Sequence, residues 1–236
     1  MAKPALLPIS AASVLEADGI RVELPGGRTL LSSIYLKLET GTVTGLLGRN
    51  GGGKSTLLQA VFGPRAVPDA SVRVDGRYVH PAYRRPGLIN YLPQTPLLPA
   101  ALTLGTAARW LQVEPAVAFV RFPVLLERLR EPVGRLSGGQ QRLAETLLLH
   151  QPTRFTLLDE PLAHIAPVQL EGLGEEIREA GRRKGLLLTD HDYRAMLPLC
   201  QRLYLLTEGR LLPIAADRPA AQLVKYGYLP AGHAAL

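Results

Sequence analysis

A single cysteine, Cys200, in a chain of 236 residues leaves no intrachain disulfide to form. That usage fits a reducing compartment, and Cys200 is expected as a small buried apolar residue near a helix end. No apolar run approaches the roughly 18–20 residues that a membrane-spanning helix needs. The longest uncharged stretch, residues 86–108, is broken by Pro93, Pro96 and Pro99 and carries several polar side chains. Residues 1–14 lack the ordered basic, apolar and cleavage regions of a secretory leader. The expectation is therefore a cytoplasmic protein able to dock on the inner face of a membrane. Long blocks of like charge are absent too. The net charge is +7, but its basic residues are scattered, with short clusters only at Arg84-Arg85 and Arg182-Arg183-Lys184. Such a balance admits nucleic acid, anionic lipid or nucleotide without selecting among them. There is no internal repeat and no low-complexity segment.

What is present is enough apolar material for a sizeable core: 47% hydrophobic against 20% charged residues. Residues 20–24 and 32–38 alternate as strands do, with the Pro25-Gly26-Gly27 turn between them. Residues 43–47 form an apolar run that ends in a glycine-rich loop and passes into a helical pattern over 55–62, closed by Gly63-Pro64. Asp75-Gly76 predicts a hairpin over 72–79. Helical apolar spacing covers 104–129, interrupted at Pro115 and Pro123, and reappears over 142–149 and 168–180. Apolar strands are predicted at 156–158 and 185–189. Strands alternating with helices predict an α/β fold with a mostly parallel sheet, a small antiparallel β subdomain and a helical insertion beginning near Pro96. The insertion's Trp110, Leu111, Val117, Phe119, Val120, Phe122 and Leu125 are expected in its core.

The segment Gly48-Arg49-Asn50-Gly51-Gly52-Gly53-Lys54-Ser55 matches G-x-x-x-x-G-K-S/T and lies between a strand and a helix. Glycines let backbone N–H groups turn inward and cradle phosphate oxygens, and the positive end of the following helix adds to that anion site. Lys54 is placed to reach the outer phosphates, and Ser55 to offer its hydroxyl to Mg²⁺, with Thr56 next in the helix. Downstream, the apolar strand Phe155-Thr156-Leu157-Leu158 delivers Asp159 and Glu160 at its carboxyl end, the edge where ligands of open α/β sheets sit. Asp159 suits Mg²⁺ held through its water shell, and Glu160 suits a general base for an attacking water. A nucleoside triphosphate is the expected ligand, with Mg²⁺ as cofactor.

Leu136-Ser137-Gly138-Gly139-Gln140 resembles the signature motif of ABC ATPases, the ATP-binding subunits of ABC transporters. Gln94, in Tyr91-Leu92-Pro93-Gln94, is similar to that family's Q-loop glutamine. Asp159-Glu160-Pro161 resembles the end of its Walker B motif, and His191, in Thr189-Asp190-His191-Asp192, its switch histidine. The resemblance spans residues 14–214, with five motifs in the family's order. It implies a P-loop NTPase core over about 14–94 and 134–214, a helical subdomain over about 95–136 and a tail over 215–236. It also implies that Glu160, His191 and Gln94 serve hydrolysis, and that Ser55, Gln94 and Asp159 serve the metal. Residues 48–56 would hold ATP, and Ser137, Gly138, Gly139 and Gln140 would close over ATP held by a partner cassette. The partner would be a second copy or a homologous cassette, joined by separate transmembrane transporter subunits, with no nucleic acid. The layout is similar to stand-alone exporter ATPases of the lipopolysaccharide-export type. A soluble ABC ATPase of cofactor assembly or nucleic-acid work, and a weakly active regulatory cassette, stand as alternatives.

Two positions depart from the family pattern. Ala166 stands where an aspartate ends the loop that crosses to the partner, and Leu24 stands where an aromatic ring stacks on adenine. Stacking is worth about 1–3 kcal/mol per base in single-stranded nucleic-acid systems. Tyr35 lies in the next strand's pattern and is a poor substitute. His80, His150, His164 and His233 show no metal-ligand spacing and read as surface or core residues. The tail's Tyr226-Gly227-Tyr228-Leu229-Pro230 reads either as a contact or as a loosely packed end.

Overall fold

The leucine-rich strands sort their side chains onto two faces with the period of two that a pleated backbone imposes. Leu46, Leu157, Leu187 and Leu206 point into one core, whereas Leu47, Leu158, Leu186, Leu188 and Leu205 point into a second. A sheet buried on both faces reads as a continuous apolar run, as these strands do. Each fully buried leucine contributes roughly 1.5–3 kcal/mol over an exposed one.

The structure is a computed structural model describing residues 12–64, 67, 70–149, 153–215 and 217–230. It opens with β1 (Val14–Glu23), β2 (Thr29–Glu39), β3 (Val43–Gly48) and α1 (Lys54–Phe62), then β4 (Ser71–Val74), β5 (Arg77–Tyr78) and β6 (Ile89–Leu92). The helices α2 (Leu104–Trp110), α3 (Pro115–Ala118), α4 (Pro123–Leu126) and α5 (Gly138–Leu148) follow. The remainder is β7 (Phe155–Asp159), α6 (Pro167–Arg183), β8 (Gly185–Thr189), α7 (Tyr193–Met196), β9 (Arg202–Thr207), β10 (Arg210–Ile214) and α8 (Pro219–Lys225).

Two sheets result. A six-stranded sheet runs β10-β9-β3-β8-β7-β6, parallel except for its antiparallel edge strand β10. An antiparallel sheet runs β2-β1-β4-β5. The core between them holds α1, through Leu57, Leu58, Ala60 and Val61. The opposite face of the large sheet carries α5, α6 and the helical insertion. Because β3, β6, β7 and β8 run in one direction, their carboxyl ends at Gly48, Leu92, Asp159 and Thr189 share one edge.

Several expectations are corrected by the packing. The sequence reading contained no strand at β6, β9 or β10, and all three belong to the large sheet. The helical spacing over 104–129, interrupted at Pro115 and Pro123, forms three short helices, two of them opening at those prolines. Thr103 caps α2, its Oγ1 accepting from Thr106 N at 3.3 Å, and Pro115 and Pro123 open α3 and α4 at their first turns. Proline suits that position because its missing N–H has no helical partner to lose. Each restart resets the helical phase. Phe119, Phe122 and Leu125 are buried accordingly, but Trp110, Val117 and Val120 stand 69%, 72% and 63% exposed instead of in the core. Cys200 follows a 3-10 turn and is only partly buried, although its surroundings push the thiol up to about 12 by desolvation. In the tail, α8 buries Leu223, and Leu229 beyond it is also buried, so these residues pack on the core instead of trailing from it. His150 and His233 lie outside the described residues.

Candidate functional site

At the end of β3 the chain turns through Gly51 (φ +73°) and Gly53 (φ +100°), conformations in which a Cβ is strained. Gly53 is the N-cap of α1 and supplies no side-chain cap, so the first N–H groups of that nine-residue helix face outward without a side-chain acceptor. Lys54 follows. It is buried, and its Nζ donates to Gly48 O at 2.7 Å and to Arg49 O at 3.4 Å. Burial lowers its pKa, while Glu160, Asp159 and Asp190 act in the opposite direction and support its charge.

A cavity of about 440 Å³ opens over this turn. Asn50, Gly51, Gly52, Gly53, Lys54, Ser55 and Thr56 form one wall, and Gln94, Glu160 and His191 the other. Leu30 completes the lining; it opens β2 and carries no sequence signal that marks it as a site residue. Gly48 and Arg49 stand behind the wall, where Arg49 Nη2 donates to Gly227 O at 3.0 Å and ties the tail to the loop. Tyr228 beside it is half-buried, and desolvation raises its phenol pKa. Leu24 lies in the β1–β2 turn away from the cavity lining, and Tyr35 is engaged elsewhere, donating to Glu16 Oε1 at 2.7 Å.

The two acids after β7 occupy different environments. Asp159 is buried beneath the cavity, accepting from Thr189 Oγ1 at 2.8 Å and from Tyr91 OH at 3.3 Å. Burial, then the Asp159 charge, raises the Tyr91 pKa and keeps it a donor. Glu160 lines the cavity with φ +55°, a left-handed conformation unusual for a residue with a side chain. Its Oε2 accepts from Gln94 Nε2 at 3.0 Å, its Oε1 lies 3.5 Å from His191 Nδ1, and its N–H donates to Thr189 O at 2.9 Å. Asp190 is buried next to His191, accepting from Leu162 N at 3.2 Å and Asp192 N at 2.9 Å, and burial raises its pKa.

Ser137, Gly138, Gly139 and Gln140 are not part of this cavity. Ser137 is the N-cap of α5, its Oγ accepting from Gln140 N at 3.3 Å while Ser137 N donates to Gln140 Oε1 at 3.1 Å, a reciprocal capping box. Ser137 and Gly138 are exposed. Gly139 is pressed against the 160–166 turn so closely that a Cβ would lie 2.2 Å from His164 O. His164 itself is exposed, with φ +61°. Among the described residues no cluster of His, Cys, Asp or Glu is arranged to cage a metal.

One buried cation escaped the sequence reading. Arg142, in the first turns of α5, donates to Glu160 O, Asp159 O and Pro93 O. Its only legible signal was charge spacing: Arg142 and Glu145 are i, i+3 charges beside the apolar Leu143, Ala144, Leu147 and Leu148.

A glycine turn that opens a helix, next to strand-end acids on the carboxyl edge of a parallel sheet, defines a P-loop nucleotide-binding protein. The ABC transporter family model matches residues 31–163, and the chain belongs to that family as one of its ATP-binding ATPase subunits. It is 31% identical over 204 residues to the lipopolysaccharide export system ATP-binding protein LptB of Escherichia coli (strain K12), covering 79% of this chain and 84% of that one. It is 32% identical over 220 residues to the hemin import ATP-binding protein HmuV of Pseudomonas fluorescens (strain Pf0-1), covering 82% and 83%. Among solved structures, an ATP binding subunit of an ABC transporter superposes with a TM-score of 0.75 at 22% identity, over 92% of this chain and 95% of that one.

Proposed function

We propose that the chain hydrolyses ATP to drive a separate transmembrane transporter, and that two cassettes pair head to tail to form two composite sites. The observation that carries the pairing is the separation of Ser137–Gln140 from the chain's own cavity. One chain presents two outward-facing helix N-termini of P-loop and signature type, and only one faces the residues of hydrolysis. The second is left to meet ATP on a partner, and a two-fold axis satisfies both at once. No described helix is long and apolar enough to cross a membrane, so the path for cargo would belong to other chains. Docked on them, the cassette would sit peripherally on the inner face of the membrane.

In this reading the backbone of residues 48–56 and Lys54 hold the phosphates. Glu160 accepts the proton of the attacking water at its carboxylate, a role for which its placement in the cavity suits it. Gln94 and His191 orient that carboxylate from either side. By donor chemistry the Ser55 hydroxyl, the Gln94 amide and, through the metal's water shell, the buried Asp159 carboxylate would suit Mg²⁺, a hard cation bound by few carboxylates plus phosphate and water. Bound there, Mg²⁺ would supply charge neutralisation to the phosphate oxygens. Gln94 gives its amide nitrogen to Glu160, which leaves its oxygen as an acceptor.

Glu160→Gln keeps the side chain's size and removes the base. ATP binding is expected to persist, turnover to fall by roughly 10²–10⁴-fold as for loss of a general base, and an ATP-bound dimer to accumulate. Size-exclusion chromatography with light scattering reads the last point. A variant that stays monomeric at saturating ATP overturns the paired-site reading.

A further inference from the structure

Arg142 is buried, with 7% of its surface exposed, at the point where three segments converge. Its Nε donates to Glu160 O at 3.0 Å, its Nη1 to Pro93 O at 2.7 Å, and its Nη2 to Asp159 O. All three acceptors are main-chain carbonyls at the ends of β6 and β7, where the ladder no longer supplies donors. Glu145, 1% exposed, stands 3.6 Å from Nη1. Its other oxygen accepts from Leu97 N at 2.8 Å and Leu98 N at 3.1 Å, just past Gln94. The pair therefore grips the chain on both sides of Gln94 and beneath Glu160. It does so from α5, whose first turn carries Ser137, Gly138, Gly139 and Gln140.

Glu160 needs such a grip. A non-glycine residue in a left-handed conformation is strained and persists only where the surroundings over-determine it. Here its N–H donates to Thr189 O and its carbonyl accepts from Arg142 Nε, so both ends of the strained residue are fixed. The guanidinium's planar fork of donors suits three carbonyls at once; a lysine ammonium does not match that geometry.

We propose that Arg142 is a positioning residue: it holds the backbone of Glu160 and the Pro93-Gln94 turn in the geometry for hydrolysis, and couples both to the helix that begins at the Ser137-Gly138-Gly139-Gln140 turn. This rests on Glu160 being the general base. Displacement of the signature helix, as by a partner's nucleotide, moves the carboxylate through Arg142. Arg142 does not line the cavity, and its guanidinium donates to main-chain carbonyls.

The test is Arg142→Lys in the full chain, with steady-state ATP hydrolysis, binding of a fluorescent ATP analogue and thermal melting measured together. Acting on Glu160 directly and by way of the Gln94 amide that holds its carboxylate, the substitution can remove at most the general base's contribution, so kcat is expected to fall about 100-fold, within the roughly 10²–10⁴-fold range of such groups. KM and nucleotide affinity are expected to change less than about twofold, as when an interaction used only in the transition state is lost. In a Glu160→Gln background the same substitution should lower the residual rate no further. Unchanged kcat, affinity lost in parallel with kcat, or an equal further loss in the Glu160→Gln background overturns the proposal. Should Arg142→Lys melt below the assay temperature, Glu145→Gln decides. It keeps an oxygen for Leu97 N and Leu98 N but removes the anion facing Nη1, so a lowered kcat at constant KM upholds the proposal and an unchanged kcat overturns it. A wild-type chain that fails to hydrolyse ATP, or a Glu160→Gln variant as fast as wild type, marks failure of the underlying reading instead.

Discussion

Lys184 follows α6 at the edge of the sheet opposite the cavity, with 4% of its surface exposed. Its Nζ donates to Thr156 Oγ1 at 2.9 Å, Thr153 Oγ1 at 3.3 Å and Leu149 O at 3.4 Å. These partners are neutral, and burial, with a smaller push from Arg183, brings the ammonium pKa down to about 7. An unfolded lysine titrates near 10.4, so between these values the unfolded chain binds more proton than the folded one. Stability is therefore expected to rise from neutral pH toward pH 10, with a contribution to the slope of up to about 1.4 kcal/mol per pH unit. Below about pH 7 both states are charged and the burial penalty is fully present. Urea unfolding at pH 7, 8 and 9 reads the slope, and Lys184→Met is expected to remove that contribution. Identical slopes in the two proteins would show that Lys184 keeps its proton across the range. Lys54 contrasts with it: three carboxylates oppose the effect of its burial. Burial thus lowers the pKa of a lysine at each end of the sheet, opposed at Lys54 by nearby carboxylates.

Helix ends differ as sharply as residues. α5 has both halves of a capping box, whereas α6 begins at Ala166 with no side-chain cap and with Pro167 in its first turn. Ala166 already has the extended backbone of a cap, φ −62° and ψ 138°. Ala166→Asp is therefore expected to accept a first-turn N–H and raise stability by about 0.5–2 kcal/mol, seen as a higher Tm in calorimetry. A Tm no higher than wild type would mean the carboxylate cannot turn back onto the helix beside the 160–166 turn. The departure from the family pattern at this position thus has a local cost as well as its expected effect on a partner. Capping boxes and first-turn prolines are short-range patterns, so the start of α5 was legible to within a few residues. The ends of α2, α3 and α4 were less so, because apolar spacing over 104–129 is compatible with one phase or three. Only contact with the core selects Phe119 and Phe122 over Val117 and Val120.

For the whole molecule, the large sheet's five parallel strands place their carboxyl-end loops on one edge, and the antiparallel sheet and α1 cover one face. The exposed Trp110, Val117 and Val120 lie in the helical insertion and do not line the cavity. If the cassette serves a transporter, the tagged protein extracted from its native membrane in mild detergent should carry membrane-spanning chains with it. Quantitative recovery in the soluble fraction, with no spanning chain bound, would contradict that assignment.

Alone, the sequence determined the chemistry that depends on near neighbours. The glycine turn from Gly48 to Ser55, the acids closing an apolar strand, the capped turn at Ser137 and the histidine after β8 are each set by residues a few positions apart. Backbone freedom, strand alternation and helix capping act over that range. Tertiary structure alone decided what depends on distant segments meeting. β6, β9 and β10 became strands by finding β7 and β3, and Leu30 reached the cavity through the pairing of β2. Arg142 joined Pro93, Asp159 and Glu160 across 49, 17 and 18 residues of chain. A buried guanidinium is stable only where carbonyls and a carboxylate satisfy it, and no local pattern states which carbonyls those will be.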